Sequence, residues 1–286
     1  MSSTQEQPII PKIKYNAILG ILNKGFHVDR RPLTSYRSFE VKFNIAPNAD
    51  SSVLFKLGNT QILAGVKLEV GQPFPDSPNE GILIVNAEYL PAASPTFEPG
   101  PPDENAIELA RVIDRGLREA KVIALDKLVI VPGKRVWIVW LDIYILDHDG
   151  NLIDASAMAS MLALATTFIP YYEVDPLTSN VKIDRTRKLQ RLPLNRYVVS
   201  VTVNKIGDLL VIDPTGEEEA IASSKLAISI SEEGNIVGIQ KMGIGYVTED
   251  DINKAIDIAL SIGIDNIEKL KKIINQWEQT FLSATQ

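Results

Sequence analysis

Three arginines are the clearest candidates for binding chemistry in this chain of 286 residues. Arg111, Arg115 and Arg118 are spaced i, i+4 and i+7, so a helix would project them from one side as a ladder. Guanidinium groups at that pitch can grip successive phosphates of a nucleic acid strand without reading its sequence. The competing interpretation is a solvated face whose arginines pair with acidic residues three or four positions away. Spacing alone leaves both interpretations open.

Other side chains that could do chemistry are scarce. The chain has no cysteine and only two histidines, His27 and His148, which argues against a thiol nucleophile, a histidine triad and a Cys- or His-ligated metal site. Asp142 lies within an apolar run and needs a partner or a raised pKa; a buried carboxylate bonded to backbone is the plainer interpretation. The turn at 147–151 lacks the glycine and glutamate positions of a calcium loop, and the glycines at 243–245 lack a dinucleotide-binding pattern. We therefore expect no metal and no cofactor.

The composition limits the function classes further. Acidic residues outnumber basic ones, 36 to 29, and the net charge of −7 argues against a protein that coats nucleic acid with its whole surface. A hydrophobic fraction of 45% is typical of a globular chain. The polar N-terminus lacks the pattern of a signal peptide, and the longest apolar runs are far shorter than the ~20 residues of a membrane span. We expect a cytoplasmic protein with no membrane partner.

Hydrophobic periodicity predicts the elements that position these residues. Apolar residues spaced three or four apart predict helices at about 8–23, 103–125, 249–262 and 266–282. A further helix, alanine-rich and capped by Asp154, is expected to end near residue 168. Alternating or continuous apolar runs predict strands at 39–43, 53–57, 62–70, 82–90, 128–131, 135–147, 197–204, 208–213, 224–231 and 235–241.

The order of these elements predicts an α+β fold in one chain. Strands followed by helices occur twice, which indicates two pseudo-repeated halves at about 25–170 and 195–286, with the helix at 8–23 preceding them. The segment 171–194 is polar and carries a basic cluster, and we expect it to be a crossover between the halves. The repeat is topological, since the halves share no convincing residue identity.

Several stretches of the sequence carry a family resemblance. They are His27–Leu33 with Tyr36 and Arg37, Leu57–Gln61, Pro73–Gly81, Phe97–Glu104 with Arg111, Asp114 and Arg115, Val136–Trp137, and Leu146–Asn151. Together they resemble the RNase PH-type ring subunits of the archaeal exosome, specifically the larger, non-catalytic one, over about residues 8–282. The resemblance implies an RNase PH-like fold (ribosomal protein S5 domain 2-like) with two βαβα halves. Arg30 is a departure, because the family usually has glycine there; a positive φ would make the arginine awkward.

The resemblance also implies that this chain is catalytically silent. Active relatives bind phosphate with a Gly-Thr-Arg stretch after an Asp-Gly turn, and the aligned residues here are Asn151–Ile153. An isoleucine cannot supply the charge-assisted donor that a phosphate dianion needs. Paired arginines ahead of the long helix are replaced by Asp103 and Glu104, and the general-acid aspartate aligns at or next to Lys225. We therefore expect no catalytic residue in the chain.

The implied role is support of a partner's chemistry. In the archaeal ring, three copies alternate with three active RNase PH-type subunits as a trimer of heterodimers, and the RNA end lies at the heterodimer interface. Arg111 and Arg115 then become the foremost candidates for contacts to single-stranded RNA, with Arg118 a further one. The expected function is 3′-to-5′ phosphorolytic RNA degradation by the complex, with RNA-binding S1/KH-type cap proteins on one ring face.

Two other functions stay open at this point. The chain could itself be a phosphate-dependent 3′-to-5′ exoribonuclease with rearranged catalytic residues, in which case Asp142, Asp147 and Asp149 are its nearby carboxylates. It could also be a metabolic α+β protein with no role in RNA. Ile153 and Lys225 argue against the first of these.

Overall fold

Two sheets organise residues 12–284, the part of the chain that the computed structural model describes. The first sheet is built from β1 (Phe39–Phe43), β2 (Ser51–Leu57), β3 (Thr60–Gly71), β4 (Ile82–Tyr89), β5 (Val129–Val131) and β6 (Arg135–Asp147). Its order is β1-β2-β3-β6-β4, with β5 also paired to β6. Strand β4 lies at one edge of this sheet. It pairs with β6 in parallel, so the chain between these two strands has to cross over, and it does so through a helix.

The second sheet is antiparallel and has four strands. They are β9 (Val198–Ile206), β10 (Leu209–Ile212), β11 (Ser224–Ser231) and β12 (Ile236–Met242), in the order β10-β9-β11-β12. A short helix, α4 (Gly216–Glu219), connects β10 to β11. The helix α1 (Lys12–Leu22) packs Ile18 and Leu22 against Ile206 and Val211 of this sheet. Residues 8–11 of the predicted first helix lie outside the described residues.

The helix α3 (Leu152–Ala165) lies between the two sheets and contacts β2, β3 and β9. Its alanine-rich sequence allows this close packing, and nearly every residue in it is buried. The prediction that Asp154 caps this helix is wrong. Asn151 is the N-cap residue, and the Asp154 carboxylate is fully buried, where it accepts hydrogen bonds from the Tyr36 hydroxyl and from Thr202.

The C-terminal region is one helix where the sequence predicted two. α5 runs continuously over Glu249–Ala284 and packs on β9 and β11. Gly263 does not end the helix. It lets Ile230 approach so closely that an added Cβ would lie 2.8 Å from the Ile230 Cδ1 atom. None of the helices in the described part of the chain combines the length and the apolar character needed to span a membrane.

The long arginine-bearing helix is shorter than predicted. α2 spans Glu104–Glu119, not 103–125, and its N-cap Asp103 accepts from the backbone N–H of Ala106 at 2.8 Å. Lys121 then takes a positive φ of 50°, which turns the chain out of the helix. A 3₁₀ turn follows at Leu125–Leu128.

The segment 171–194, expected to be a crossover between the halves, forms a two-stranded antiparallel ribbon over most of its length. β7 (Phe168–Val174) pairs with β8 (Val181–Arg191). The basic cluster of β8 holds the ribbon to the body of the protein: Arg185 pairs with Asp50, and Arg191 pairs with Glu278 of α5. Most of β8 lacks the alternation of apolar and polar residues that indicates a strand, so the sequence did not predict this strand.

Strand β6 lies between β3 and β4 in the first sheet, and only one of its faces is fully buried. Burial alternates along the strand, and Asp142 falls on the half-exposed face. Its carboxylate accepts a hydrogen bond from the Asn86 side chain of β4 at 3.0 Å. The expectation of a buried carboxylate bonded to backbone is therefore wrong.

Candidate functional site

The arginine ladder lies on the outer face of α2. The opposite face of this helix buries an apolar stripe that includes Ala106, Leu109, Ile113 and Leu117. This amphipathic pattern fixes the rotation of the helix, so Arg111 and Arg115 are exposed.

The three arginines do not share one environment. The Arg118 guanidinium donates to both carboxylate oxygens of Asp114, at 2.7 and 3.2 Å, and to the Leu83 carbonyl of β4 at 3.0 Å. Arg111 and Arg115 form no ion pair and no hydrogen bond within residues 12–284. The salt-bridged interpretation therefore describes Arg118, and the structure leaves the other two guanidinium groups available for a ligand.

A groove of about 380 Å³ runs between α2 and the edge strand β4. Apolar side chains such as Ile84 and Ala110 line much of it, together with Arg111 and Arg118. Of the two available arginines, Arg111 therefore lines a groove at the edge of the first sheet.

A second cluster surrounds the turn between β6 and α3. Gly150 has φ +84°, and an added Cβ there would lie 2.5 Å from the Pro214 carbonyl oxygen, so only glycine fits. The Gly150 carbonyl accepts from the Thr60 hydroxyl at 2.7 Å. The Asp149 carboxylate accepts from the Gly216 N–H and from the Asn59 side chain, both at 3.0 Å. The turn is thus held from both halves of the chain.

Arg37 and Asp213 form the buried centre of this cluster. The Arg37 Nε and Nη2 atoms donate to the two oxygens of Asp213 at 3.0 and 2.8 Å, and Nη1 donates to the Asp149 carbonyl at 2.6 Å. The Asn151 side-chain amide also donates to Asp213, at 2.8 Å. Burial lowers the pKa of Arg37, but the hydrogen bonds and charge of Asp213 outweigh it, so the pKa is raised. Arg37 is therefore a permanently charged part of the scaffold.

A carboxylate of the chain itself occupies the N-terminus of α3. The backbone N–H of Asn151 donates to Glu219 at 2.9 Å, and the Lys225 ammonium pairs with the same carboxylate. Burial raises the pKa of Glu219, but Lys225 and the Asn151 hydrogen bond outweigh it, so the pKa is lowered and the group is ionised. Ile153 is partly buried and packs against the hydrophobic core.

Tyr89 and His148 lie on the same side of the first sheet as Phe97, which contacts both rings. Burial raises the pKa of Tyr89, and the charges of Asp103 and Glu219 raise it further. His148 stacks on Phe97 with ring centroids 5.5 Å apart, and burial lowers its pKa. The surroundings of the turn are therefore crowded with internal partners.

Three of these residues were not predicted as site residues. Arg37 entered only through the family resemblance, and neither Glu219 nor Asp213 was singled out. Asp213 follows directly after the apolar strand β10, and a carboxylate at the end of an apolar run is the sequence signal that could have found it. Its φ is 49°, in the left-handed region that aspartate adopts more readily than most residues.

Two sheets around a buried alanine-rich helix, with a conformationally fixed turn leading into that helix, define an RNase PH-like protein. Models of the 3′ exoribonuclease family match residues 35–170 with its domain 1 and residues 196–262 with its domain 2. The chain therefore belongs to the 3′ exoribonuclease family of the RNase PH type. This confirms the predicted α+β, RNase PH-like fold.

The chain is also similar over nearly its whole length to individual members of the family. It is 48% identical over 273 residues to the exosome complex component Rrp42 of Saccharolobus solfataricus, covering 95% of this chain and 98% of that protein. It is 48% identical over 269 residues to Rrp42 of Sulfurisphaera tokodaii, covering 94% and 97%.

Solved structures agree with this similarity. A chain of the Archaeoglobus fulgidus exosome with RNA bound to the active site superposes with a TM-score of 0.79 at 40% identity, covering 91% of this chain and 97% of that chain. A chain of an archaeal exosome core superposes with a TM-score of 0.77 at 37% identity, covering 91% and 96%. The resemblance to archaeal exosome ring subunits is therefore confirmed.

Proposed function

We propose that this chain is a non-catalytic structural and RNA-binding subunit of a hexameric exosome ring. It supports 3′-to-5′ phosphorolytic degradation of RNA by an active RNase PH-type partner with which it alternates. Similarity to Rrp42 over 95% of the chain supports membership of the ring. The single observation that carries the silent role is the Glu219 carboxylate bound to the Asn151 N–H at the N-terminus of α3.

Three features of the cluster support the absence of catalysis. The N-terminus of α3 already holds an anion, so inorganic phosphate has to compete with a tethered carboxylate. Lys225 pairs with that carboxylate, and an ammonium cannot serve as a carboxylic acid would at the position with which it aligns. Asp103 and Glu104 stand where the resemblance implies paired arginines in active relatives, so negative charge replaces positive charge ahead of α2.

The alternative is that the chain is itself an active phosphate-dependent 3′-to-5′ exoribonuclease. Its candidate carboxylates are engaged elsewhere: Asp142 accepts from Asn86, and Asp149 accepts from the Gly216 N–H and from Asn59. Asp147 accepts from the Gln61 side chain at 3.4 Å. No observation favours this alternative.

The proposed RNA contacts are made by Arg111 and Arg115, with Arg118 contributing only if it exchanges its bonds to Asp114 and Leu83 for a phosphate. The two available guanidinium groups are separated by one helical turn on an exposed face. They can bind neighbouring phosphates of single-stranded RNA at the interface with the active subunit. S1/KH-type cap proteins are the further partners that we propose, in a cytoplasmic assembly.

The test of silence uses 5′-labelled RNA and inorganic phosphate, with the chain alone and then with an active partner subunit. We expect no nucleoside diphosphate from the chain alone and release from the mixture, together with a native mass that fits a ring of six. Release by the purified chain alone would establish the alternative function.

The test of RNA contact compares two charge-reversed rings. Arg111→Glu with Arg115→Glu should leave assembly intact, weaken RNA binding, and reduce the slope of log K against log salt by about 1.4, since each phosphate contact on a single strand contributes about 0.7. The matched control is Lys127→Glu with Lys134→Glu, which makes the same charge change at two exposed positions away from α2. Equal effects of the two pairs would show that net charge, and not the ladder, governs binding.

A further inference from the structure

A cavity of about 490 Å³ lies between the two halves of the chain. One wall is the segment 34–39, which leads into β1, and the other wall is α5 from Ile262 to Lys269. The cavity shares no lining residue with the groove beside Arg111, so it is a separate feature of the molecule.

Asn266 lies at the buried floor of this cavity and carries an unsatisfied amide. The residue is fully buried, and its Nδ2 group has no acceptor within residues 12–284. A buried donor without a partner destabilises the folded state, and such groups are rare in folded proteins. A ligand oxygen at the floor would supply the missing acceptor after a small turn of the amide. The unpaired amide is thus the observation that points to a ligand.

The Lys269 ammonium lies beside the same amide. Its Nζ atom is 3.5 Å from the Asn266 Oδ1 atom, at the limit of a hydrogen bond, and it forms no ion pair within residues 12–284. Asp265 also lines the cavity, but it is exposed, so water screens its repulsion of an anion. Because an ammonium has three donors, Lys269 keeps donors for a negatively charged ligand.

The remaining lining combines hydroxyl-bearing residues with apolar surface. Thr34, Ser35 and Ser38 belong to the wall that faces α5, and a hydroxyl can donate to an anion. Phe39 and Ile262 are half-buried apolar residues, one on each wall. The cavity therefore suits a ligand that has one anionic group and an apolar body.

The arginine of this cavity is already engaged elsewhere. Arg37 lines the cavity, but its guanidinium donates to Asp213 and to the Asp149 carbonyl. Without an arginine fork, the cavity offers one ammonium and one amide as its innermost donors. These two groups match the single charge and the two oxygens of a carboxylate.

We propose that this cavity is a binding site for a carboxylate carried on an apolar group, either a small organic acid or the free carboxyl end of a peptide. One carboxylate oxygen accepts from the Lys269 ammonium and the other from the Asn266 amide, and the apolar group packs against Phe39 and Ile262. The site goes beyond the proposed function and does not rest on it, and its test uses neither RNA nor a partner subunit.

The experiment measures binding to the full chain by calorimetry and by the shift in Tm, at constant ionic strength. The probes are phenylacetate and the acetylated tripeptide Ala-Ala-Phe with a free carboxyl end, and each is compared with its own amide, which has the same shape and no charge. In at least one pair we expect the acid to bind at least about tenfold more tightly than the amide, because hydrogen bonds to charged groups are the stronger ones. The acid that binds more tightly identifies the source of the carboxylate, a peptide end or a small molecule.

Two variants locate the binding in the cavity. Lys269→Met removes the charge and should weaken binding of the acid at least about tenfold. The matched control is Lys272→Met, which removes an exposed lysine of the same helix that does not line the cavity and should leave binding unchanged. Asn266→Leu keeps the shape of the side chain and should weaken binding without lowering the Tm of the free chain, because leucine has no unpaired donor.

Three results would each overturn the proposal. Equal binding of acid and amide in both pairs would show that no carboxylate is recognised. Equal effects of Lys269→Met and Lys272→Met would show that the charge of the helix, and not the cavity, attracts the acid. Unchanged binding by a folded Asn266→Leu would make the Asn266 amide a structural group only. Lys269→Met changes an exposed side chain, so its comparison with Lys272→Met decides the proposal even where Asn266→Leu does not fold.

Discussion

The buried carboxylate of Asp154 should make the stability of this protein depend on pH in a predictable direction. Asp154 is fully buried between the two halves, where it accepts from the Tyr36 hydroxyl, the Thr202 N–H at 3.0 Å and the Thr202 hydroxyl at 2.7 Å. Burial raises its pKa to about 6, although the hydrogen bonds from Tyr36 and Thr202 act to lower it. The perturbation is Asp154→Asn, which keeps the shape and removes the titration.

The magnitude follows from the displacement of this pKa from its ordinary value of 3.8 to about 6. Between these values the native state holds a proton that the unfolded state has released, so rising pH favours unfolding. At about 1.4 kcal/mol for each pH unit, the carboxyl costs the native protein about 3 kcal/mol once the pH exceeds 6. An asparagine can accept from Tyr36 and from the Thr202 N–H, and can donate to the Thr202 hydroxyl oxygen. It therefore avoids this cost while keeping the bonds.

The assay is equilibrium unfolding in urea from pH 3.5 to 7.5, read as the difference in unfolding free energy between Asp154→Asn and the unaltered chain. This difference cancels the contributions of the other titrating groups. It should move by about 3 kcal/mol in favour of asparagine as the pH rises from 4 to 6, and stay level on either side. Tyr36→Phe is the control that retains the carboxyl, so its stability should keep the dependence. A difference that does not change with pH would refute the reasoning.

Three further predictions concern backbone strain and the ladder. Arg30 has φ +70°, so Arg30→Gly should stabilise the chain in urea by about 0.5–1 kcal/mol; a loss of stability would show that the arginine side chain outweighs the strain. Gly150→Ala should cost about 3 kcal/mol or more in the same assay, because its Cβ would meet the Pro214 carbonyl at 2.5 Å, and a neutral effect would contradict the fixed turn. Arg118→Ala should cost under about 1 kcal/mol, because the pair that it loses is half-exposed. In the assembled ring, Arg118→Ala should weaken RNA binding less than Arg115→Ala, and the reverse order would show that Arg118 releases its partners to bind RNA.

Sequence periodicity predicted the elements well where one apolar face packs on one partner. The strands of both sheets lie close to their expected positions, and the amphipathic helix α2 begins where expected although it ends earlier. Prediction failed where a residue serves a distant partner. The sequence predicted that a helix ends at residue 262, but Gly263 makes room for Ile230 and the helix continues. Asp154 reads as a cap, but its partners Tyr36 and Thr202 are 118 and 48 positions away, which no local pattern shows.

The same difference between local and distant contacts decides which parts of the candidate site could be predicted. The bond between Arg118 and Asp114 is an i, i+4 pair, so the sequence could propose it directly. The contact of Glu219 with the Asn151 N–H joins different elements and depends on how α4 is placed against α3. The sequence could suggest that phosphate chemistry had been lost at Ile153 and Lys225. It could not show that the Glu219 carboxylate lies at the N-terminus of α3.

The net charge of −7 describes this protein's surface poorly, because part of its acidity is turned inward. The side chains of Asp154, Asp213 and Glu218 are fully buried. Glu218, for example, accepts from the Val28 and Thr215 N–H groups and bonds to His27, at 2.7–2.9 Å. These carboxylates bond to groups of the chain itself, and the charge of Asp213 is balanced by its ion pair with Arg37. Among the described residues 12–284 Arg111 has no such partner, and so an acidic chain can still present positive charge at one exposed helix face.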